Sequence, residues 1–264
     1  MNKGEGRDIL YRCWKAPSPK AVLLLVHGVG AHSFWWESFA EFFLSSGISS
    51  YAIELKPASF GVYFKDIISL HNIIRKENPD KNIFIVGESM GAVISFLILS
   101  SRPDLATGLV CLSPAIKSRL NLTIRDYFAI FLPLLYNPRK KFPLPYDISA
   151  CTRDENQIKK VKEEGSGGMP ATSRLLFDII VAQIKLRMAK NKFTKPVLFL
   201  IPGKDAIIDP GTSKKFFAGL KAQNKVLIEY PDMYHSVSTD VGKEFAFRDI
   251  LKWLEGFDAI HIGH

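Results

Sequence analysis

At 264 residues with 47% hydrophobic side chains, the chain is long enough to bury one full core, and it is expected to form one core with an insertion. Three cysteines, Cys13, Cys111 and Cys151, are an odd number without metal-ligand spacing; this argues against a disulfide framework or a zinc site and predicts reduced, buried thiols. Residues 1–20 carry charges and prolines where a secretory signal needs an apolar core, and no run reaches the length of a membrane span, so a soluble, cytoplasmic protein is expected despite the net charge of +9.

Arg7 to Trp14 is the first stretch able to form a strand. Ala21-Val22-Leu23-Leu24-Leu25-Val26 is a continuous apolar run, as in a strand buried on both faces, and it ends in His27-Gly28-Val29-Gly30-Ala31-His32. Helical stretches from Phe34 to Ser46 and from Phe64 to Lys76 bracket a further strand, Tyr51 to Glu54. Ile83-Phe84-Ile85-Val86 then runs into Gly87-Glu88-Ser89-Met90-Gly91, followed by the apolar, Gly- and Pro-free stretch Ala92 to Ser100. Strand, tight turn and helix in that order form a nucleophile elbow, which leaves Ser89 exposed at its tip. Acyl transfer needs two backbone N–H donors aimed at the oxyanion, and we assign them to Met90, directly after the serine, and to Val29 in the early loop. Gly28 permits close backbone approach at the substrate side of that loop, His32 is a candidate for the site mouth, and His27 is read as structural.

Residues 117–192 read as an insertion. They hold 15 Lys+Arg against 7 Asp+Glu, whereas residues 1–116 hold 11 against 10 and residues 193–264 hold 9 against 9, so nearly all the excess positive charge lies there. The segment Asn121 to Tyr136 is rich in large apolar groups, with Phe128 and Phe131 as expected acyl contacts, and Arg139-Lys140-Lys141 follows. Such a stretch can line an acyl pocket or make peripheral contact with an anionic membrane. No groove-reading motif accompanies the charge, so nucleic acid is not an expected partner. Gly165-Ser166-Gly167-Gly168 is expected as a flexible turn within the insertion.

Beyond the insertion, the strand-like run Pro196 to Ile201 leads into Pro202-Gly203-Lys204-Asp205, and Lys225 to Tyr230 leads into Pro231-Asp232-Met233-Tyr234-His235. Helices are expected from Ser213 to Gln223 and from Glu244 to Glu255, completing the alternation of a parallel sheet covered on both faces. Ser89, Asp205 and His235 occur in the chain order of an α/β-hydrolase triad, each on a loop after a strand. Serine is a weak nucleophile at its own pKa, so a histidine must take its proton and a carboxylate must orient that histidine. Asp209, before Pro210, reads instead as a helix N-cap, and Asp232, beside Pro231, as a turn residue. His71 falls in a helical stretch, and His261 and His264 in the tail.

Val26 to His32, Gly87 to Gly91, Leu112-Ser113-Pro114, Pro202 to Asp205 and Tyr234-His235 together resemble the monoacylglycerol lipase and lysophospholipase-like branch of the α/β-hydrolases. The resemblance spans nearly the whole chain. It implies a mostly parallel central sheet flanked by helices, with a core of residues 1–116 and 193–264 and a helical cap, residues 117–192, after the sixth core strand. It also implies hydrolysis of a small-molecule acyl ester, such as a monoacylglycerol or lysophospholipid-like ester, through an acyl-enzyme without metal or cofactor. Two features depart from that branch. Glu54 runs into Leu55-Lys56-Pro57-Ala58-Ser59-Phe60-Gly61 where an Arg-Gly-His-Gly-type loop is usual, and the short N-terminus predicts loss of one leading edge strand. A thioesterase or peptidase on the same core, and a ligand-binding protein of low turnover, are the alternatives, although a cap at +8 disfavours an aminopeptidase, which must hold an ammonium.

Overall fold

A computed structural model describes residues 1–3, 9–119, 123–144, 146–163 and 170–258. Arg7, Asn121, Leu122, the glycine cluster at 165–168, His261 and His264 lie outside them. The core is an eight-stranded sheet made of β1 (Asn2–Lys3), β2 (Leu10–Trp14), β3 (Ala21–Val26), β4 (Ser49–Glu54), β5 (Asn82–Glu88), β6 (Gly108–Leu112), β9 (Val197–Pro202) and β10 (Lys225–Tyr230). Its spatial order is β1-β2-β4-β3-β5-β6-β9-β10, parallel from β4 to β10, with β2 antiparallel to β4 and β1 antiparallel to β2. The leading edge strand expected to be missing is therefore present, shortened to the two residues of β1.

Alternation along β3 shows why the sheet is covered on both sides. Leu23 and Leu25 point into a cluster with Phe39 and Phe43 of α1 (Glu37–Ser45) and Phe247 and Ile250 of α8 (Lys243–Asp258). Val22, Leu24 and Val26 point the opposite way, toward Ile67 and Leu70 of α2 (Phe60–Glu77) and Ala92 and Phe96 of α3 (Met90–Ser101). A strand buried on both faces has no polar side, which is why its sequence reads as an unbroken apolar run. Helix ends follow local chemistry. The expected 213–223 helix is α7, Pro210–Ala218, because Asp209 caps it by accepting from the Gly211 N–H at 3.0 Å and Pro210 suits its first turn.

Between β6 and β9 the chain leaves the sheet. It forms α4 (Ile124–Phe131), a 3₁₀ turn (Leu132–Leu135), β7 (Lys141–Phe142), α5 (Glu155–Glu163), β8 (Ala171–Thr172) and α6 (Ser173–Ala189), with β7 and β8 pairing antiparallel. This helical insertion follows the sixth strand of the sheet, as expected. Helix α6 is its anchor: Ala182 and Leu186 are buried, and the Gln183 side chain donates to the Ala115 carbonyl at 2.9 Å. Parallel registry, Val26 opposite Gly87 and Glu88 opposite Leu112, brings the carboxyl ends of the strands to one edge of the sheet, where ligands of open α/β folds bind.

Candidate active site

Ser89 sits between β5 and α3 with φ of +56°, a conformation that costs energy for a residue with a β-carbon and that the turn imposes. The turn is this tight because α3 passes directly over β3: a β-carbon on Gly91 would lie 2.1 Å from the Val26 carbonyl oxygen. The Ser89 N–H donates to the Leu112 carbonyl at 2.9 Å, which ties the elbow to the neighbouring strand.

The structure brings Ser89, Asp205 and His235 together. Ser89 Oγ lies 3.0 Å from His235 Nε2, and His235 Nδ1 lies 2.7 Å from Asp205 Oδ2. Asp205 Oδ1 also accepts from the N–H groups of Ile207 and Ile208, each at 2.8 Å, so the carboxylate is held on both oxygens. A carboxylate so engaged has only acceptor sites, which assigns the Nδ1 proton to the histidine and leaves Nε2 to accept from the serine hydroxyl. Burial opposes the charged form of His235, but Asp205 and then Glu88 outweigh it and hold the imidazole pKa above its ordinary value. Glu88 is itself buried, which raises its pKa, while it accepts from the Ser238 N–H at 3.0 Å and hydroxyl at 2.8 Å.

Val29 and Met90 both border a cavity that contains Ser89. Met90 opens α3, where the first-turn N–H groups have no partner within the helix and form the positive end of its dipole. The early loop is held from beneath by His27, which is buried, accepts from the Leu55 N–H at Nε2 (3.0 Å) and donates through Nδ1 to the Gly28 carbonyl (2.8 Å). Its burial lowers its pKa, in keeping with a neutral structural ring. Gly28 packs against Ser89, since a β-carbon there would stand 3.0 Å from Ser89 Cβ.

His32 and Phe128 are placed elsewhere than expected. His32 Nδ1 meets Glu54 Oε1 at 2.7 Å, and Glu54 also accepts from the Ser33 N–H and hydroxyl, so His32 turns inward to brace the loop and does not line the cavities at Ser89. Burial works against the Glu54 charge, yet these bonds hold its pKa down at about 2. Phe128 is 69% exposed on the outer side of α4, whereas Phe131, three residues on, borders the cavity. The docking of α4 separates them: its inward stripe carries Tyr127, Ile130 and Phe131 and leaves Phe128 at its outer margin.

Two cavities meet at Ser89. The larger, about 290 Å³, is mainly apolar and is lined by Ile130, Phe131, Leu176, Ile179, Ile180, Ile207 and Ile208, with Gln183 and Lys117 among its polar margins. The smaller, about 40 Å³, lies on the His235 side between Gly28, Glu88, Tyr146, Asp147 and Cys151. Leu144 and Tyr146 border both. Tyr146 and Cys151 belong to no motif that marks them as cavity walls, whereas Leu176, Ile179, Ile180 and Gln183 of α6 recur at i, i+3, i+4 and i+7, a spacing visible in the sequence. Cys111 and Cys151 are buried, and burial pushes the Cys151 thiol up to about 12, while Cys13 is partly exposed, contrary to the expectation of three buried thiols.

An elbow serine bonded to a histidine–aspartate pair, at the carboxyl edge of a parallel sheet, defines a serine hydrolase of the α/β-hydrolase class. A family model described as serine aminopeptidase, S33, matches residues 17–242, and the chain belongs to that family. Among curated relatives, a monoglyceride lipase of Mus musculus is 24% identical over 251 residues, covering 88% of this chain and 80% of the relative. The phospholipase YtpA of Bacillus subtilis is 22% identical over 248 residues, covering 89% and 95%. The crystal structure of a Paleococcus ferrophilus monoacylglycerol lipase superposes with a TM-score of 0.84 at 22% identity, covering 94% of this chain and 98% of that one.

Proposed function

We propose that the chain hydrolyses esters carrying one acyl chain, of the monoacylglycerol or lysophospholipid kind, with Ser89, Asp205 and His235 as the triad. Ser89 attacks the ester carbonyl as His235 takes its proton, and the N–H groups of Val29 and Met90 hold the oxyanion. His235 then protonates the leaving alcohol, and water activated by the same ring releases the fatty acid. The observation that carries this reading is the unbroken hydrogen-bonded line from Asp205 through His235 to Ser89, opening onto the larger, mainly apolar cavity of about 290 Å³. Relatives acting on acylglycerols and phospholipids support it.

Peptide hydrolysis, named in the family's description, fits less well. The larger cavity at Ser89 is mainly apolar, and residues 117–192 hold 15 Lys+Arg against 7 Asp+Glu, a balance that disfavours the ammonium of an aminopeptidase substrate. The deciding experiment is a panel of monoacylglycerols and p-nitrophenyl esters of increasing chain length, run alongside fluorophosphonate labelling. Turnover of the esters with an adduct on Ser89 is expected, and no turnover with no adduct would sink the assignment.

Residues 117–192 act as the cap that selects esters. Its outer surface supports contact with anionic lipid: Ile124, Phe128, Leu132, Leu135 and Tyr136 are exposed, and Arg125, Arg139 and Lys140 stand among or beside them. Among the described residues no helix is long and apolar enough to cross a membrane. Co-sedimentation with anionic vesicles at low salt, lost at high salt and absent with neutral vesicles, is the expected result; equal partitioning to both vesicles speaks against it.

A further inference from the structure

The loop that carries His235 is stitched to the insertion. The Ser236 N–H donates to the Cys151 carbonyl at 2.8 Å, and the Thr152 hydroxyl donates to the Thr239 carbonyl at 3.0 Å. Asp240 is the centre of this seam. Its carboxylate is fully buried and accepts from the N–H of Tyr234, the residue before His235, at 2.8 Å and from the N–H of Arg153 at 2.7 Å. The Arg153 guanidinium closes on the same carboxylate, Nη2 to Oδ2 at 2.8 Å, and lies over the Tyr234 ring at 5.1 Å from its centre.

We propose that Arg153 and Asp240 form a positioning pair through which the cap sets the orientation of the histidine at the active centre. The proposal rests on the reading of His235 as general base. A buried carboxylate is stable only with its counter-charge and hydrogen bonds in place, so Asp240 holds the Tyr234 peptide in this position only while Arg153 is docked. One peptide separates that anchor from His235, which leaves little slack before the imidazole moves. Neither Arg153 nor Asp240 lines the two cavities at Ser89, so the pair acts on the base and not on acyl selection. Lys160, which bonds Glu37 at 2.6 Å in an exposed pair, is a cap-to-core contact away from this seam and provides the control.

The test measures kcat and KM on p-nitrophenyl acetate and p-nitrophenyl laurate, per active serine titrated with a fluorophosphonate. Arg153→Ala is expected to lower kcat by about 10- to 100-fold on both esters, the scale of a misplaced catalytic group, with KM within about threefold. Arg153→Lys should recover most of that loss, and Lys160→Ala should stay within about twofold of the parent. A purely structural role would reduce the titrated fraction and leave kcat per titrated site unchanged, which would overturn the proposal, as would a loss confined to one ester. If Arg153→Ala does not fold, the double variant Arg153→Gln, Asp240→Asn removes both charges together. The same uniform loss in kcat is expected there, and an unchanged kcat overturns the pair. A parent protein inert to both esters and to the fluorophosphonate would remove the ester-hydrolase reading itself, an outcome distinct from an active parent whose variants are unaffected.

Discussion

Chemistry at the scale of single residues turns on a histidine pulled in two directions. Burial disfavours the imidazolium, and Asp205 and Glu88 more than compensate, so the folded pKa lies above the ordinary 6.5. Only neutral His235 can accept the Ser89 proton, so the acid limb of kcat/KM is expected above that value, and a limb at or below it in a pH–rate profile would contradict the arrangement. Stability runs the other way. The contribution from the charged ring is complete below the unfolded value and fades as pH rises through the folded one, so activity grows over the window in which this contribution is lost. Glu54 has the opposite sign: its pKa, held at about 2 against an ordinary 4.5, supplies stability above 4.5 that is lost as pH falls toward 2. Glu54→Gln is expected to cost about 1–3 kcal/mol in urea denaturation at neutral pH, since it weakens the bonds to His32 and Ser33. Ser89→Ala should lower kcat on the order of 10⁶-fold with an unchanged circular dichroism spectrum; a folded, active variant would exclude Ser89 as nucleophile.

Elements divide the labour between binding and anchoring. Helix α6 lays Ala182 and Leu186 on the core and turns Ile179 and Ile180 to the apolar cavity, so one helix carries both support and cavity wall. Ile179→Trp should fill part of the 290 Å³ space. Laurate hydrolysis is expected to fall by about tenfold or more in kcat/KM, as for a pocket that has lost room for several methylenes, while acetate hydrolysis stays within about threefold. Equal loss on both esters would show that this cavity does not receive the acyl chain. Helix α4 was legible as apolar but not as oriented. Phe128 and Phe131 look equivalent in the sequence, and only docking of the helix separates an exposed ring from a cavity wall.

At the scale of the whole molecule, the sheet is a rigid platform whose two faces are closed by different packing. Phe39 is fully buried with Phe43 and Phe247 at ring-centre distances of 4.5 and 5.0 Å. Phe39→Ala is expected to destabilise by about 3–5 kcal/mol in chemical denaturation, far from the site, with kcat unchanged in the folded fraction. Over that platform the insertion carries nearly all the net charge of +9, so ionic strength should alter surface association more than chemistry. The longer core strands, the elbow and the N-cap at Asp209 could be read from the sequence, because each rests on local preference or on periodicity within one segment, and the order Ser89, Asp205, His235 followed because each lies on a loop directly after such a strand. His32 turning to Glu54, the short strand Asn2–Lys3, the cavity walls from α6 and the Arg153–Asp240 seam could not. Those contacts join residues distant along the chain, and their partners are chosen by which strand ends and helix faces the folded sheet brings within hydrogen-bonding distance.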